Sequence, residues 1–217
     1  MRNIAIDGPA GAGKSTAAKI VAKKLGILYL DTGAMYRAIG LKALKLGIGT
    51  RDIPAIEAIL PNTVVEIKYV DNVQNIFLDG ENVTPFIREH AVSMAASDVS
   101  AIPAVRLKLV ELQRQIAKTN DCILDGRDIG TYVLPDAKYK FYITATAEER
   151  ANRRYKELIE KGQTVSYDEV LLDIVTRDKN DSTREFAPLK KADDAYEFDT
   201  TTMSIDEVVN ELLSRIE

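Results

Sequence analysis

Near the N-terminus stands a string that permits few folds. Gly8-Pro9-Ala10-Gly11-Ala12-Gly13-Lys14-Ser15 satisfies G-x-x-x-x-G-K-[ST]. A short apolar run, Ile4–Asp7, precedes it, and Ala18, Val21, Ala22 and Leu25 follow at helical spacing. That order, strand then glycine turn then helix, gives the string its meaning. Glycines let the backbone wrap closely around an anion, with successive N–H groups and a helix N-terminus aimed at it. Lys14 is then placed to reach the β- and γ-phosphates, and Ser15, followed by Thr16, to meet Mg²⁺ directly or through water. A glycine turn that merely starts a helix needs neither the lysine nor the hydroxyl. The string predicts a nucleoside triphosphate site.

The rest of the chain alternates in the same way. Strand-like runs fall at Leu28–Asp31, Cys122–Asp125, Phe141–Thr144 and Ala195–Asp199, with helix-period segments between them. Val105, Leu109, Leu112 and Ile116 mark one such helix, and Ile205, Val208, Val209, Leu212, Leu213 and Ile216 mark a strongly amphipathic last one. Capping boxes are expected at Thr146…Glu149, Ser166…Glu169 and Ser204…Glu207. This rhythm predicts an α/β fold, a parallel sheet flanked by helices. Residues 63–87 break it. Val64–Val70 and Gln74–Leu78 read as strands, with tight turns expected at Asp71-Asn72 and Asp79-Gly80. A small antiparallel sheet, inserted between the second and third core strands, is expected there.

Composition narrows the function classes. At 217 residues and 46% hydrophobic, the chain is too apolar for disorder. Its formal charge of −4 argues against generic nucleic-acid binding. No run approaches the roughly 20 apolar residues of a membrane span, and Met1-Arg2 leads into a strand without a signal-peptide apolar region. The lone Cys122 fits a reducing compartment and a buried thiol. A cytoplasmic monomer without membrane or nucleic-acid partners is the expectation.

The fate of the γ-phosphate turns on the remaining motifs. Neither a D-x-x-G switch after a strand nor a guanine-reading N-K-x-D occurs, so a GTPase switch is not indicated. A kinase of small molecules fits better. If its acceptor is itself a phosphate, the attacking oxygen is already ionised, and positioning with charge neutralisation suffices. The single His90 has no acid partner at an obvious spacing and reads as structural. Arginines, permanently charged and bidentate toward phosphate, carry the argument instead.

They fall in clusters. Asp31-Thr32-Gly33-Ala34-Met35-Tyr36-Arg37 ends the second strand, the edge at which parallel sheets bind ligands. Cys122–Asp125 resembles a Walker B strand, with Asp125 beside Mg²⁺ and the Ser15 hydroxyl, and Arg127-Asp128 follow directly. Val170, Ile174, Arg177, Asp181 and Arg184 share one predicted helix face, apolar at its start and charged at its end, so the charged half is expected to line a cleft. Arg150, Arg153 and Arg154 lie on the helix opened by Thr146, either as a short lid over ATP phosphates or as an exposed basic face paired with glutamates.

Taken together, these strings resemble the bacterial cytidylate kinase family of the nucleoside monophosphate kinase superfamily. The matching segments are Asp7–Thr16, Asp31–Arg37, Asp125–Thr131, and Arg177-Asp178 with Asp181, Arg184, Ala187-Pro188-Leu189 and Ala192–Ala195. They run in family order along nearly the whole chain. The resemblance implies a five-stranded parallel core (1–34, 108–151 and 163–217), a monophosphate-binding lobe over 35–107 and a lid over 152–162. It implies transfer of the ATP γ-phosphoryl group to CMP or dCMP, with Mg²⁺. Gly8 to Thr16 would bind ATP, with Lys14, Arg37, Arg127, Arg150 and Arg153 acting on the transferring group. Arg37 and Arg127 would hold the acceptor phosphate beside Thr32 and Tyr36. Ser97 and Arg106 match positions that read cytosine, with Asp128 and Arg184 nearby, while Arg177 and Asp181 would contact ribose. Thr32 stands where some relatives have serine, and Leu134 where an aromatic is common. A P-loop kinase for another small acceptor, such as a different nucleotide or a metabolite hydroxyl, and a non-catalytic ATP sensor are the alternatives. The sensor would not need three acceptor-side arginine clusters.

Overall fold

The computed structural model of the protein describes residues 1–70 and 73–216. The chain divides into two compact units, Met1–Tyr29 with Asp121–Glu217, and Leu30–Asn120.

The first unit is built on a parallel sheet. Strands β1 (Asn3–Asp7), β2 (Leu28–Asp31), β6 (Cys122–Gly126), β7 (Tyr139–Thr144) and β8 (Tyr196–Asp199) lie in the order β2-β6-β1-β7-β8. The five runs expected from sequence are therefore all strands, in a parallel sheet. β1 pairs with β6 from Asn3↔Cys122 to Asp7↔Gly126 and with β7 from Ile4↔Tyr139 to Asp7↔Tyr142. Central strands covered on both faces are apolar throughout, which is why Ile4, Ala5, Ile6, Ile123 and Leu124 are all buried. Helices α1 (Lys14–Leu25) and α8 (Ile205–Leu213) bury Ala17, Ala18, Val21, Val208, Val209 and Leu212 in this core.

Helices α6 (Ala147–Glu160) and α7 (Tyr167–Thr183) pack together through Ala151, Leu158, Val170 and Ile174. Two of the three expected capping boxes form in full, at Ser166/Glu169 and Ser204/Glu207. The third forms by half. Thr146 Oγ1 accepts the Glu149 N–H, but the Glu149 carboxylate pairs with Arg153 and the Thr146 N–H donates to Thr201 Oγ1. A guanidinium one turn away outcompetes the neutral backbone donor. The last residue of the predicted α7 face also needs correction: the helix ends at Thr183, and Arg184 is an extended cap residue.

The second unit holds α2 (Thr32–Lys45), α3 (Ile53–Ile59), α4 (His90–Val99) and α5 (Pro103–Thr119) with the small antiparallel sheet. That sheet is β3 (Val65–Val70), β4 (Val73–Leu78) and β5 (Glu81–Asn82), in the order β3-β4-β5. Asp79, with φ 51, and Gly80, with φ 88, make its second turn. The tight turn expected at Asp71-Asn72 lies outside the described residues. Helices α2 and α4 touch closely at Gly40, where a Cβ would meet Ala96 N at 2.9 Å. The stripe expected on α5 is rotated. Leu112 and Ile116 are only half-buried, whereas Arg106 and Gln113 are buried with Val105, Leu109, Val110 and Ala117.

Candidate active site

In the first unit the glycine loop leaves β1 at Asp7. Gly8 has φ 142, and a Cβ there would stand 1.9 Å from the Ile143 carbonyl oxygen, so only glycine allows the chain to pass β7. Gly11 and Gly13 also take positive φ, and Gly13 opens α1. Lys14 folds back over the loop and donates to the Pro9 carbonyl at 2.6 Å. Burial and the charge of Arg127 both lower its ammonium pKa. Beyond the lysine, Ser15 Oγ donates to Asp125 Oδ2 at 2.6 Å, and Tyr29 OH donates to Asp125 Oδ1 at 2.8 Å. Sequence pointed to Ser15 and Asp125 but not to Tyr29, which orients the carboxylate. A hydroxyl and a carboxylate within hydrogen-bond distance, at the mouth of a phosphate loop, fit Mg²⁺, which takes few protein ligands and completes its shell with water and phosphate.

The Arg127-Asp128 pair follows the end of β6. Arg127 Nε donates to Asp181 Oδ2 at 2.8 Å. Burial works against the Asp181 carboxylate, yet Arg127, Arg177 and Arg184 together hold it below the usual carboxylate range. Arg184 lies past the helix end but still turns inward, its Nε donating to the Ala187 carbonyl at 2.7 Å and its Nη2 to Asp128 Oδ1 at 3.4 Å. The backbone holds it there, because the Leu189 N–H returns to the Asp181 carbonyl at 2.7 Å. Arg127, Asp128, Asp181 and Arg184 therefore form one linked cluster, and the charge of Arg177 bears on it.

The arginines of α6 part company. Arg150 is buried and turned toward the loop. Its Nε donates to the Ala145 carbonyl, its Nη1 to the Ala10 carbonyl at 3.0 Å, and its two terminal nitrogens clasp the Asp178 carboxylate at 3.0 and 2.6 Å. Arg153 pairs with Glu149 and reaches the Thr200 carbonyl at 2.6 Å. Thr200 Oγ1 in turn donates to the Ala12 carbonyl at 3.2 Å. Arg154 makes an outer pair with Glu157. Residues 152–160 continue α6 without a break. Thr200, which bonds the Ala12 carbonyl of the glycine loop, and Asp178, which holds the Arg150 that bonds Ala10, are not among the site residues expected from sequence. No spacing rule links them to the loop.

In the second unit, Asp31 caps α2 through the Ala34 N–H and pairs with Arg37 at 2.9 Å and Arg88 at 3.2 Å. Gln74 of β4 holds the Asp31 backbone from both sides, accepting its N–H at 2.7 Å and donating to its carbonyl at 3.3 Å. Thr32 is buried on the first turn of α2, and Tyr36 lies under the Arg106 guanidinium at 5.3 Å. Arg106 donates to the Ser100 carbonyl, and the Ser97 hydroxyl is buried without a hydrogen-bond partner among the described residues. His90 is exposed at the start of α4. Arg88 and Gln74 were not anticipated.

A strand, phosphate loop and helix, joined to an acid-ended strand that meets the loop's hydroxyl, define the P-loop nucleoside-triphosphate-binding class. A family model described as Cytidylate kinase matches residues 4–217. A cytidylate kinase of Caldicellulosiruptor saccharolyticus is 57% identical over 211 residues, covering 97% of this chain and 93% of that protein. One of Clostridioides difficile is 56% identical, covering 98% and 97%. A solved structure of an uncharacterised protein from Eubacterium ventriosum shares the fold, with TM-score 0.54 at 12% identity over 100% of this chain and 98% of that one. The chain belongs to the cytidylate kinase family.

Proposed function

We propose that the chain transfers the γ-phosphoryl group of ATP to CMP and dCMP, forming CDP and dCDP. The observation that carries the chemistry is the arrangement around Lys14: a buried lysine in a phosphate loop, the Ser15–Asp125 pair beside it, and Arg127 near enough to depress its pKa. Family membership carries the acceptor. The acceptor phosphate attacks as an ionised oxygen, so no general base is required.

In this reading Gly8 to Thr16 cradle the ATP phosphates, and Lys14 neutralises the charge that builds on the transferring group. Arg37 and Arg127 orient the acceptor phosphate beside Thr32 and Tyr36. Ser15 and Asp125 would hold Mg²⁺, which supplies charge neutralisation on the phosphate oxygens when bound. Ser97, Arg106, Asp128 and Arg184 read the base, and Arg177 and Asp181 contact the ribose. Cytosine offers an amino donor with two acceptors, a pattern suited to a carboxylate with guanidinium donors, whereas uracil presents a carbonyl to that carboxylate. Residues 35–107 act as the monophosphate-binding lobe and 152–162 as a lid, in a cytoplasmic monomer. Arg153 serves the lid. Arg150 acts from behind the loop by holding Ala10, a different route from direct phosphate contact.

The test is ADP formation from Mg-ATP with CMP, dCMP, UMP, AMP and GMP. Turnover led by CMP or dCMP is expected. Turnover led by another monophosphate would overturn the base assignment, and ATP binding without transfer to any of them would favour a sensor.

A further inference from the structure

The segment after Arg127 is a wide helical turn, Ile129–Val133, with Asp128 as its cap residue. A cap aspartate ordinarily turns its carboxylate back onto the first N–H groups of its own helix. Asp128 does not: its side chain makes no capping bond, and its Oδ1 accepts from Arg184 Nη2. The second N–H of the turn, Gly130's, which a cap side chain would accept, goes to another carboxylate together with the first, Ile129's. Ile129 N–H donates to Asp7 Oδ1 and Gly130 N–H to Asp7 Oδ2, both at 2.7 Å. Asp7 is 3% exposed and is the last residue of β1, next to Gly8 of the phosphate loop. A Cβ on Gly130 would come within 3.4 Å of Asp7 Oδ2 and 3.2 Å of Lys140 Cδ, so a glycine there lets the turn settle onto the carboxylate.

We infer that Asp7 is a positioning residue for acceptor selectivity: by capping the turn from the neighbouring strand, it keeps the Asp128 carboxylate directed at Arg184 and at the acceptor base rather than at its own backbone. This rests on the proposed reading of cytosine by Asp128. Without Asp7, two N–H groups at the head of the turn lose their acceptor, and Asp128, as the cap residue, can rotate back to supply one to Gly130. The result is an intact phosphate loop with a misdirected base-reading group.

The experiment compares Asp7→Asn, Asp128→Asn and the double variant with CMP and UMP at saturating Mg-ATP. Asn keeps the shape of Asp7 but sets an amide N–H₂ against one of the two donors. Asp7→Asn is expected to cut the CMP-over-UMP ratio of kcat/KM by about 10-fold, with the KM for ATP within about 2-fold of the parent. The double variant should be no less selective than Asp128→Asn alone, because both changes act through one carboxylate. A ratio that survives Asp7→Asn but falls in Asp128→Asn overturns the inference and leaves the base reading intact. A ratio that survives Asp128→Asn removes the base reading, and the inference with it. Should Asp7→Asn fail to fold, Asp7→Ser, which keeps one acceptor in a smaller side chain, is read against the same outcomes.

Discussion

Arg150 shows how much a single side chain can be asked to hold. Its guanidinium joins the Ala10 carbonyl of the phosphate loop to Asp178 of α7 and to the Ala145 carbonyl. Removing one partner of a buried pair leaves the other charge uncompensated, which costs more than the pair is worth. Asp178 is 26% exposed and Arg150 keeps its two carbonyl partners, so Asp178→Ala should lower stability by about 1–3 kcal/mol and raise the KM for ATP, read by urea unfolding and steady-state kinetics. Asp7 gives a pH signature. Burial pushes its carboxyl up to about 7 from 3.8, against the pull of the Gly130 and Ile129 N–H groups. The folded state thus holds this proton more tightly than the unfolded chain. The associated stability is present below pH 3.8 and is lost as pH rises through about 7. Unfolding free energies from urea melts should fall more steeply between pH 4 and 7 for the parent than for Asp7→Asn, by up to about 1.4 kcal/mol per pH unit. Motif residues such as Lys14, Ser15 and Asp125 were legible because their spacing is local. Asp7, Asp178 and Gln74 were not, because their partners lie 28 to 123 residues away and meet them only through packing.

At the scale of elements, the α/β alternation was readable wherever apolar period and turn chemistry agreed, as in all five core strands and the small sheet. It misled where polar residues are buried. The face of α5 was drawn through Leu112 and Ile116, yet the helix buries Arg106 and Gln113, which hydropathy alone assigns to solvent. The Thr146 box forms only by half for a related reason: Arg153, one turn along, claims the glutamate. Packing between α2 and α4 offers a direct check. Gly40→Ala puts a methyl 2.9 Å from the Ala96 nitrogen and 3.0 Å from the Ala95 carbonyl carbon. Backbone cannot swing aside as a side chain does, so a loss of roughly 1–3 kcal/mol is expected, seen as a lower Tm. Gly26→Ala, where no atom lies within 4 Å of the added methyl, isolates the cost of positive φ alone.

At the scale of the molecule, the chain passes between its two units twice, at Tyr29–Leu30 and Asn120–Asp121. Phosphoryl transfer between two bound nucleotides has to exclude water, so the proposed reaction predicts closure around ATP and CMP together. Small-angle scattering should give a smaller radius of gyration with both nucleotides than with neither, and unchanged dimensions would count against closure. The double crossing also dictates an order of events during synthesis. Strand β1, made first, pairs with β6 and β7, so Asn3 waits for Cys122 and Ile4 for Tyr139. The unit Leu30–Asn120 is complete in sequence before either arrives. A nascent chain from which Asn120 has just emerged therefore exposes the whole sequence of the second unit while Ile4-Ala5-Ile6 remains an unpaired apolar strand, open to chaperones and proteases. Only once β7 has left the ribosome does the glycine loop acquire the sheet that shapes it, so the phosphate site is the late product of translation although its residues are among the earliest made.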